Sequence, residues 1–151
     1  MEWRFAVPDD SSVLAELNHQ LIQDEGHRNP MTVEELGDRM RGWLASGEYS
    51  AVLFFWESKV VAYALYRETK DEIYLRQFFV VRNRRREGIG RGALMDLFTD
   101  IWSLDKRRTV SVLANNAVAI SFWKAMGYTD YSLTLEMMPG ETPNKRIHRT
   151  G

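Results

Sequence analysis

Glycines and arginines crowd one short stretch, Arg82-Asn83-Arg84-Arg85-Arg86-Glu87-Gly88-Ile89-Gly90-Arg91-Gly92. The apolar run Phe78-Phe79-Val80-Val81 leads into it, and a segment with helical apolar spacing follows. Strand, glycine turn, helix is one way to build an anion pocket from main chain. Glycine lets the backbone turn tightly and approach a ligand closely. The first helical turn leaves N–H groups without partners, and the helix dipole adds partial positive charge there. A structural turn would explain the glycines alone equally well. The arginines favour a polyphosphate, because Arg82, Arg84, Arg85, Arg86 and Arg91 bring forked donors to the helix start. In a chain of formal net charge -1, this is the most positive place.

Two familiar phosphate loops do not fit. The triphosphate loop ends in Gly-Lys followed by Ser or Thr, which Gly88-Ile89-Gly90-Arg91-Gly92 lacks. A dinucleotide fold places its glycines after the first strand, with an acid about 20 residues later. Here the glycines come well past mid-chain.

The stretch resembles the GNAT family of N-acetyltransferases. That family's signature is Gln or Arg, two residues, Gly, one residue, then Gly or Ala. It reads here as Arg85-Arg86-Glu87-Gly88-Ile89-Gly90, preceded by a fourth strand ending Phe79-Val80-Val81. A second family motif, Asn-x-x-Ala-x-x-Leu/Phe-Tyr-x-x-x-Gly-Phe, is matched by Asn116, Ala119, Phe122, Trp123, Gly127 and Tyr128. The two motifs together make the resemblance strong.

The resemblance implies acetyl-CoA as co-substrate and no metal. It implies that main chain from Phe79, Val80 and Val81 pairs with the pantetheine arm. N–H groups from Arg86 through Glu87, Gly88, Ile89, Gly90 and Arg91 would hold the pyrophosphate, with Arg85 beside them. Asn116 would hold a pantetheine amide, and the helix bearing Phe122 and Trp123 would flank the cofactor. The implied reaction is direct attack of a primary amine, on a small molecule or a peptide, on the thioester. The family's tyrosine, often the general acid, is Trp123 here. An indole donates a hydrogen bond and does not titrate in the useful range. A thiolate of pKa near 8.5 leaves tolerably without an acid. The family's strand glutamate falls on Tyr74, with Glu72 two residues away on the same face of a regular strand. Glu72 and Tyr74 are therefore the catalytic candidates. Glu25 and His27 lie where the family recognises acceptors. Arg76 and Gln77 sit mid-strand, where polar groups need partners. The departures at Trp123 and Tyr74 keep a second reading open, a non-catalytic acyl-CoA-binding or sensing module.

The elements that must position these residues follow from pattern. Glu2 to Val7 reads as a strand. Val13, Leu14, Leu17 and Leu21 recur at helical spacing, which predicts a helix over 10–24. Thr32 and Glu35 form a capping box for a second helix. Residues 51–56 and 59–66 read as a hairpin, 72–81 as a long strand, the segment from Gly88 as a helix, and 109–113 as a short strand. Asn115 or Asn116 caps a helix over 117–126 that Gly127 ends. Tyr128 to Met138 reads as a last strand or two. The expected fold is α/β (α+β): a mixed, mostly antiparallel central sheet of six to seven strands with helices on both faces. The resemblance implies that this is the acyl-CoA N-acyltransferase fold. Residues 1–138 form one expected domain and 139–151 a disordered tail.

Composition narrows the function. The chain has 151 residues and 44% hydrophobic residues, enough for one core. It has no cysteine, which excludes disulfides, thiolate metal sites and a cysteine nucleophile, and suits a cytoplasmic location. Its three histidines are scattered at 19, 27 and 148. No stretch approaches about 18 apolar residues, so no membrane span is expected, and no signal peptide. Near-neutral charge argues against nucleic acid as partner. The resemblance also allows a homodimer through the terminal strand.

Overall fold

The computed structural model describes residues 1–85 and 87–144. Five strands form one sheet in chain order: β1 (Glu2–Phe5), β2 (Ser50–Trp56), β3 (Lys59–Glu68), β4 (Glu72–Val80) and β5 (Arg107–Val110). The first three pairings are antiparallel and β4 with β5 is parallel. Helices α1 (Ser11–Glu25) and α2 (Val33–Ser46) join β1 to β2. Helix α3 (Ile89–Asp96), extended by a π turn over Leu97–Ile101, joins β4 to β5. Helix α4 (Ala117–Ala125) follows β5.

Local chemistry explains most boundaries. The Thr32 hydroxyl accepts from the Glu35 N–H at 3.1 Å, and the Glu35 carboxylate accepts from the Thr32 N–H at 3.0 Å. That capping box satisfies two N-terminal groups of α2. Glu57 and Ser58 both take positive φ, 51° and 66°, in the β2–β3 turn. Two such residues match the twist of a hairpin.

The sheet separates two apolar clusters. One joins Leu14, Leu17 and Leu21 of α1 and Met40 of α2 to Leu53, Tyr63, Leu65 and Phe79. The other joins Ile73 and Leu75 to Ala93, Leu94, Leu97, Trp102 and Trp123. Helices thus cover both faces, as expected. Each fully buried leucine here stabilises by about 1.5–3 kcal/mol.

The sheet has five strands among the described residues, fewer than the six to seven expected. The shortfall is Tyr128–Met138. Its strand-like alternation is present, but Tyr131, Leu133, Leu135 and Met137 are exposed and the segment joins no ladder. An alternating sequence becomes a strand only where a neighbour accepts its hydrogen bonds. The segment is held by side chains instead. Arg28 donates to both Glu136 carboxylate oxygens at 2.8 Å, Lys124 lies 3.3 Å from Asp130, and Arg107 lies over the Tyr131 ring. Of the expected tail, 139–144 carries no helix or strand and 145–151 lies outside the described residues. No helix among the described residues is long and apolar enough to cross a membrane.

Candidate functional site: a splayed strand and a glycine-started helix

Strand β4 changes its neighbours part-way along. Its ladder with β5 runs from Glu72–Arg107 to Leu75–Val110 and stops. Its ladder with β3 runs on to Val80–Ala62. Among the described residues, β4 therefore has a partner on one edge only from Arg76 to Val80. A bulge marks the change: Tyr66 pairs with Leu75 and Leu65 with Gln77, so Arg76 is the extra residue. A bulge bends a strand and resets which side chains face which way. Before it, Ile73 and Leu75 face the α3 and α4 side; after it, Gln77 and Phe79 face the α1 and α2 side. The imperfect alternation of this strand in sequence is that reset.

Beyond β4 lies the start of α3. Gly88 is its N-cap with φ 78°, a left-handed value that favours glycine. Among the described residues no side chain caps this helix, and its first turn closes by the Gly92 N–H on the Gly88 carbonyl at 3.0 Å. The N–H groups of Ile89, Gly90 and Arg91 are the uncapped set. A Cβ at Gly90 would stand 3.5 Å from Val80 and 3.6 Å from Phe122. Gly90 thus faces the end of β4 and the side of α4. On the other side of this helix start is a shallow hollow of about 270 Å³, lined by Met1, Trp56, Glu87, Gly88 and Asp96 among others. Its two carboxylates make it the poorer side for an anion.

Three of the arginines around this mouth are already paired with acids. Arg82 and Arg85 each lie 2.6 Å from Asp24, at the end of α1. Arg84 lies 3.3 Å from Glu87. Arg85 also donates to the Val80 carbonyl at 3.0 Å. The Arg82 hydrogen bond, with help from Arg85, holds the Asp24 carboxyl below its ordinary range against the opposing effect of burial. Arg91 donates only to the Met126 sulfur, at 3.7 Å, among the described residues. Arg86 lies outside the described residues.

Helix α4 forms the opposite wall. The Asn116 side chain accepts from the Ala119 N–H at 3.1 Å, so Asn116 is the N-cap. Phe122 stacks near Phe78, with ring centroids 6.2 Å apart. Trp123 is buried and meets Phe78, Phe122 and Tyr128 edge-on at 5.0–5.6 Å. The Tyr128 hydroxyl is buried without a hydrogen-bond partner among the described residues, and burial pushes its pKa up to about 12.

A polar group occupies the α1 and α2 face behind the bulge. The Tyr63 hydroxyl donates to Gln77 Oε1 at 2.9 Å, and Gln77 Nε2 donates to Asn18 Oδ1 at 3.3 Å. All three residues are buried. Burial, and then the negative charge of Glu25, raise the Tyr63 pKa well above its usual value. His27 Nε2 and Glu25 Oε1 are 2.9 Å apart.

The two catalytic candidates lie further back along β4. Glu72 precedes Arg76 by four residues, about 13 Å of extended strand. Its carboxylate accepts from the Thr109 hydroxyl at 2.7 Å and pairs with Arg107 at 3.3 Å. Tyr74 is half-buried, opposite Arg67 on one side and Thr109 on the other. Val80, Arg85, Gly88, Ile89, Gly90, Arg91 and Phe122 lie about the end of β4 and the start of α3, whereas Phe79 is buried on the α1 and α2 face, Trp123 among rings, and Asn116 stands at the N-terminus of α4. Asn18, Asp24 and Tyr63 were not singled out from sequence. Asn18 had a signal: a polar residue four after Leu14, on the apolar stripe of α1. Asp24 had none.

The Acetyltransferase (GNAT) family model matches residues 14–128. No curated protein matches the sequence. Solved structures share the fold. A predicted acetyltransferase of Clostridium acetobutylicum, solved with acetyl-CoA, aligns with a TM-score of 0.72 at 17% identity, over 91% of this chain and 95% of that one. An aminoglycoside acetyltransferase from an uncultured soil metagenomic sample, solved with sisomicin, gives 0.70 at 12% identity, over 93% and 96%. An aminoglycoside 6'-N-acetyltransferase of Acinetobacter haemolyticus gives 0.72 at 13% identity, over 94% and 100%.

Proposed function

The chain belongs to the GNAT acetyltransferase family, and on that footing we propose that it transfers an acetyl group from acetyl-CoA to a primary amine. The observation that carries the reading is the open edge of β4 from Arg76 to Val80, set before an uncapped helix start. An extended pantetheine arm completes such an edge as a strand would. The pyrophosphate then meets the N–H groups of Ile89, Gly90 and Arg91, and Arg85 turns from Asp24 toward it. Phe79, Val80 and Val81 supply the strand surface. Glu87 and Gly88 form the turn, while Asn116, Phe122 and Trp123 form the far wall.

The amine nitrogen attacks the thioester carbon. The C–N bond forms, the C–S bond breaks, and CoA leaves as a thiolate that takes the proton released by the amine. The amine must first be neutral, whereas a free lysine amine titrates near 10.4. Of the groups on the acceptor face, the Glu25–His27 pair is the best placed to hold that proton, since a carboxylate fixes the imidazole tautomer. Tyr74 lines the same face. Glu72, bound to Thr109 and Arg107, fixes the start of the splay rather than touching the amine. A β4 N–H beyond the bulge serves the developing oxyanion.

The test is thiol release from acetyl-CoA with a panel of amines. The chain has no cysteine to interfere. Amine-dependent release with a stoichiometric amide product is the expected result. Trp123, packed among rings, favours a second reading, an acyl-CoA-binding module. Tight acetyl-CoA binding with no release for any amine would establish that reading instead.

A further inference from the structure

Three arginines on the α1 and α2 face of the sheet have no acid partner among the described residues. Arg39 of α2 lies over the Trp43 ring at 4.5 Å, and Arg76 lies over the same ring at 4.8 Å. Arg76 also donates to the Tyr49 hydroxyl at 3.1 Å and, like Arg67, sits 5.6 Å from the Tyr49 ring. Trp43 and Tyr49 are themselves packed together, centroids 4.6 Å apart. Ten ion pairs join other residues; none includes Arg39, Arg67 or Arg76 among the described residues. Arg39 Nε is buried without a hydrogen-bond partner among the described residues. Burial, and then the charge of Arg76, disfavour the Arg39 cation.

Arg67 and Arg76 are exposed and Arg39 is half-buried, so water hydrates much of this charge, and an anion brought among them would still gain from all three. Aromatic faces hold the cations but do not neutralise them. Their forks match a carboxylate or phosphate in two-pronged fashion. The position matters as much as the charge. Arg76 is the bulge residue, directly after the last β4–β5 rung, and its neighbour Gln77 belongs to the buried Tyr63–Asn18 chain. A polycationic amine would be repelled from this face.

We propose that the amine accepted at this site carries an oxyanion, a carboxylate or a phosphate, which binds the Arg39–Arg67–Arg76 cluster over Trp43 and Tyr49. The inference rests on the acetyltransferase reading and names its acceptor class. The acid end lies against the guanidiniums, and the amine end points along β4 toward the splay.

The test compares acetyl transfer to glutamate, aspartate and phosphoethanolamine with transfer to putrescine, spermidine and kanamycin. Acid-bearing amines are expected to have KM values at least about tenfold lower. The better of the carboxylate and phosphate arms identifies the anion. Arg39→Gln is expected to raise KM for the acid-bearing amine by about tenfold or more, with Arg39→Lys between and the Kd for acetyl-CoA unchanged. Arg67→Gln serves if Arg39→Gln does not fold. Lower KM values for the polyamines, or an acid KM indifferent to both substitutions, would overturn the proposal. Failure of acetyl-CoA to bind in calorimetry would sink the acetyltransferase reading instead. The cluster would then be read by titrating glutarate or inorganic phosphate and following the fluorescence lost in Trp43→Phe. Saturable quenching would support an anion site there, and its absence would remove it.

Discussion

Arginines gather at two places along β4, and the two gatherings are built differently. At the mouth of α3, Arg82 and Arg85 share Asp24 and Arg84 faces Glu87. Behind the bulge, Arg39, Arg67 and Arg76 rest on Trp43 and Tyr49. An ion pair cancels most of the field that each partner projects, whereas a cation on a ring keeps its charge. The mouth, which is the most positive stretch of the sequence, is thus partly neutral in the fold. A phosphate there must compete with Asp24. The face behind the bulge, inconspicuous in sequence, presents the uncompensated charge.

Breaking the mouth should have the largest effect. Gly90→Ala places a methyl in ordinary contact with Val80 and Phe122, so acetyl-CoA affinity should be close to that of the parent. Gly90→Val adds two branches where those neighbours stand, and calorimetry should show affinity weakened by about tenfold or more. Equal affinities for both variants would mean that the helix start is not where the nucleotide binds. Asp24→Asn should act the other way. It releases Arg82 and Arg85, so the Kd for acetyl-CoA should fall several-fold at low salt, and the gain should shrink as salt is added.

Stability separates the two regions as well. Asp24 and Asp10 both have depressed pKa values in the fold, from the hydrogen bonds of Arg82 and Arg4 respectively. The stability this contributes is fully present above the unfolded carboxyl value, near 3.9. It is lost as pH falls through the folded values. The melting temperature should therefore drop below about pH 4, and Asp24→Asn should flatten part of that drop. Trp43→Leu should cost about 1 kcal/mol by removing the ring beneath two guanidiniums. Thermal melts should show that cost nearly unchanged between low and high salt, because the ring carries no net charge. A cost that vanished with salt would mean that the two regions are held alike.

The sequence was most legible where chemistry is local. The Thr32–Glu35 box, the Asn116 cap and the glycine at the start of α3 each declare themselves within four residues. The positions of the helices and of β2 to β4 followed within a few residues. What stayed hidden depends on partners far along the chain. Asp24 meets Arg82 and Arg85 from 58 and 61 residues away. The bulge at Arg76 is visible only against β3. The last expected strand failed for the same reason, since alternation reports a face to bury and not a neighbour to pair with.

The unladdered segment before residue 139 has a practical side. It presents Tyr131, Leu133 and Leu135 to solvent on chain fastened by ion pairs and a ring contact. An endoprotease must draw an extended stretch into its cleft, and here little main-chain bonding resists it. Chymotrypsin should nick the protein at these residues before it reaches the sheet, leaving a shortened body whose mass dates the age of a preparation.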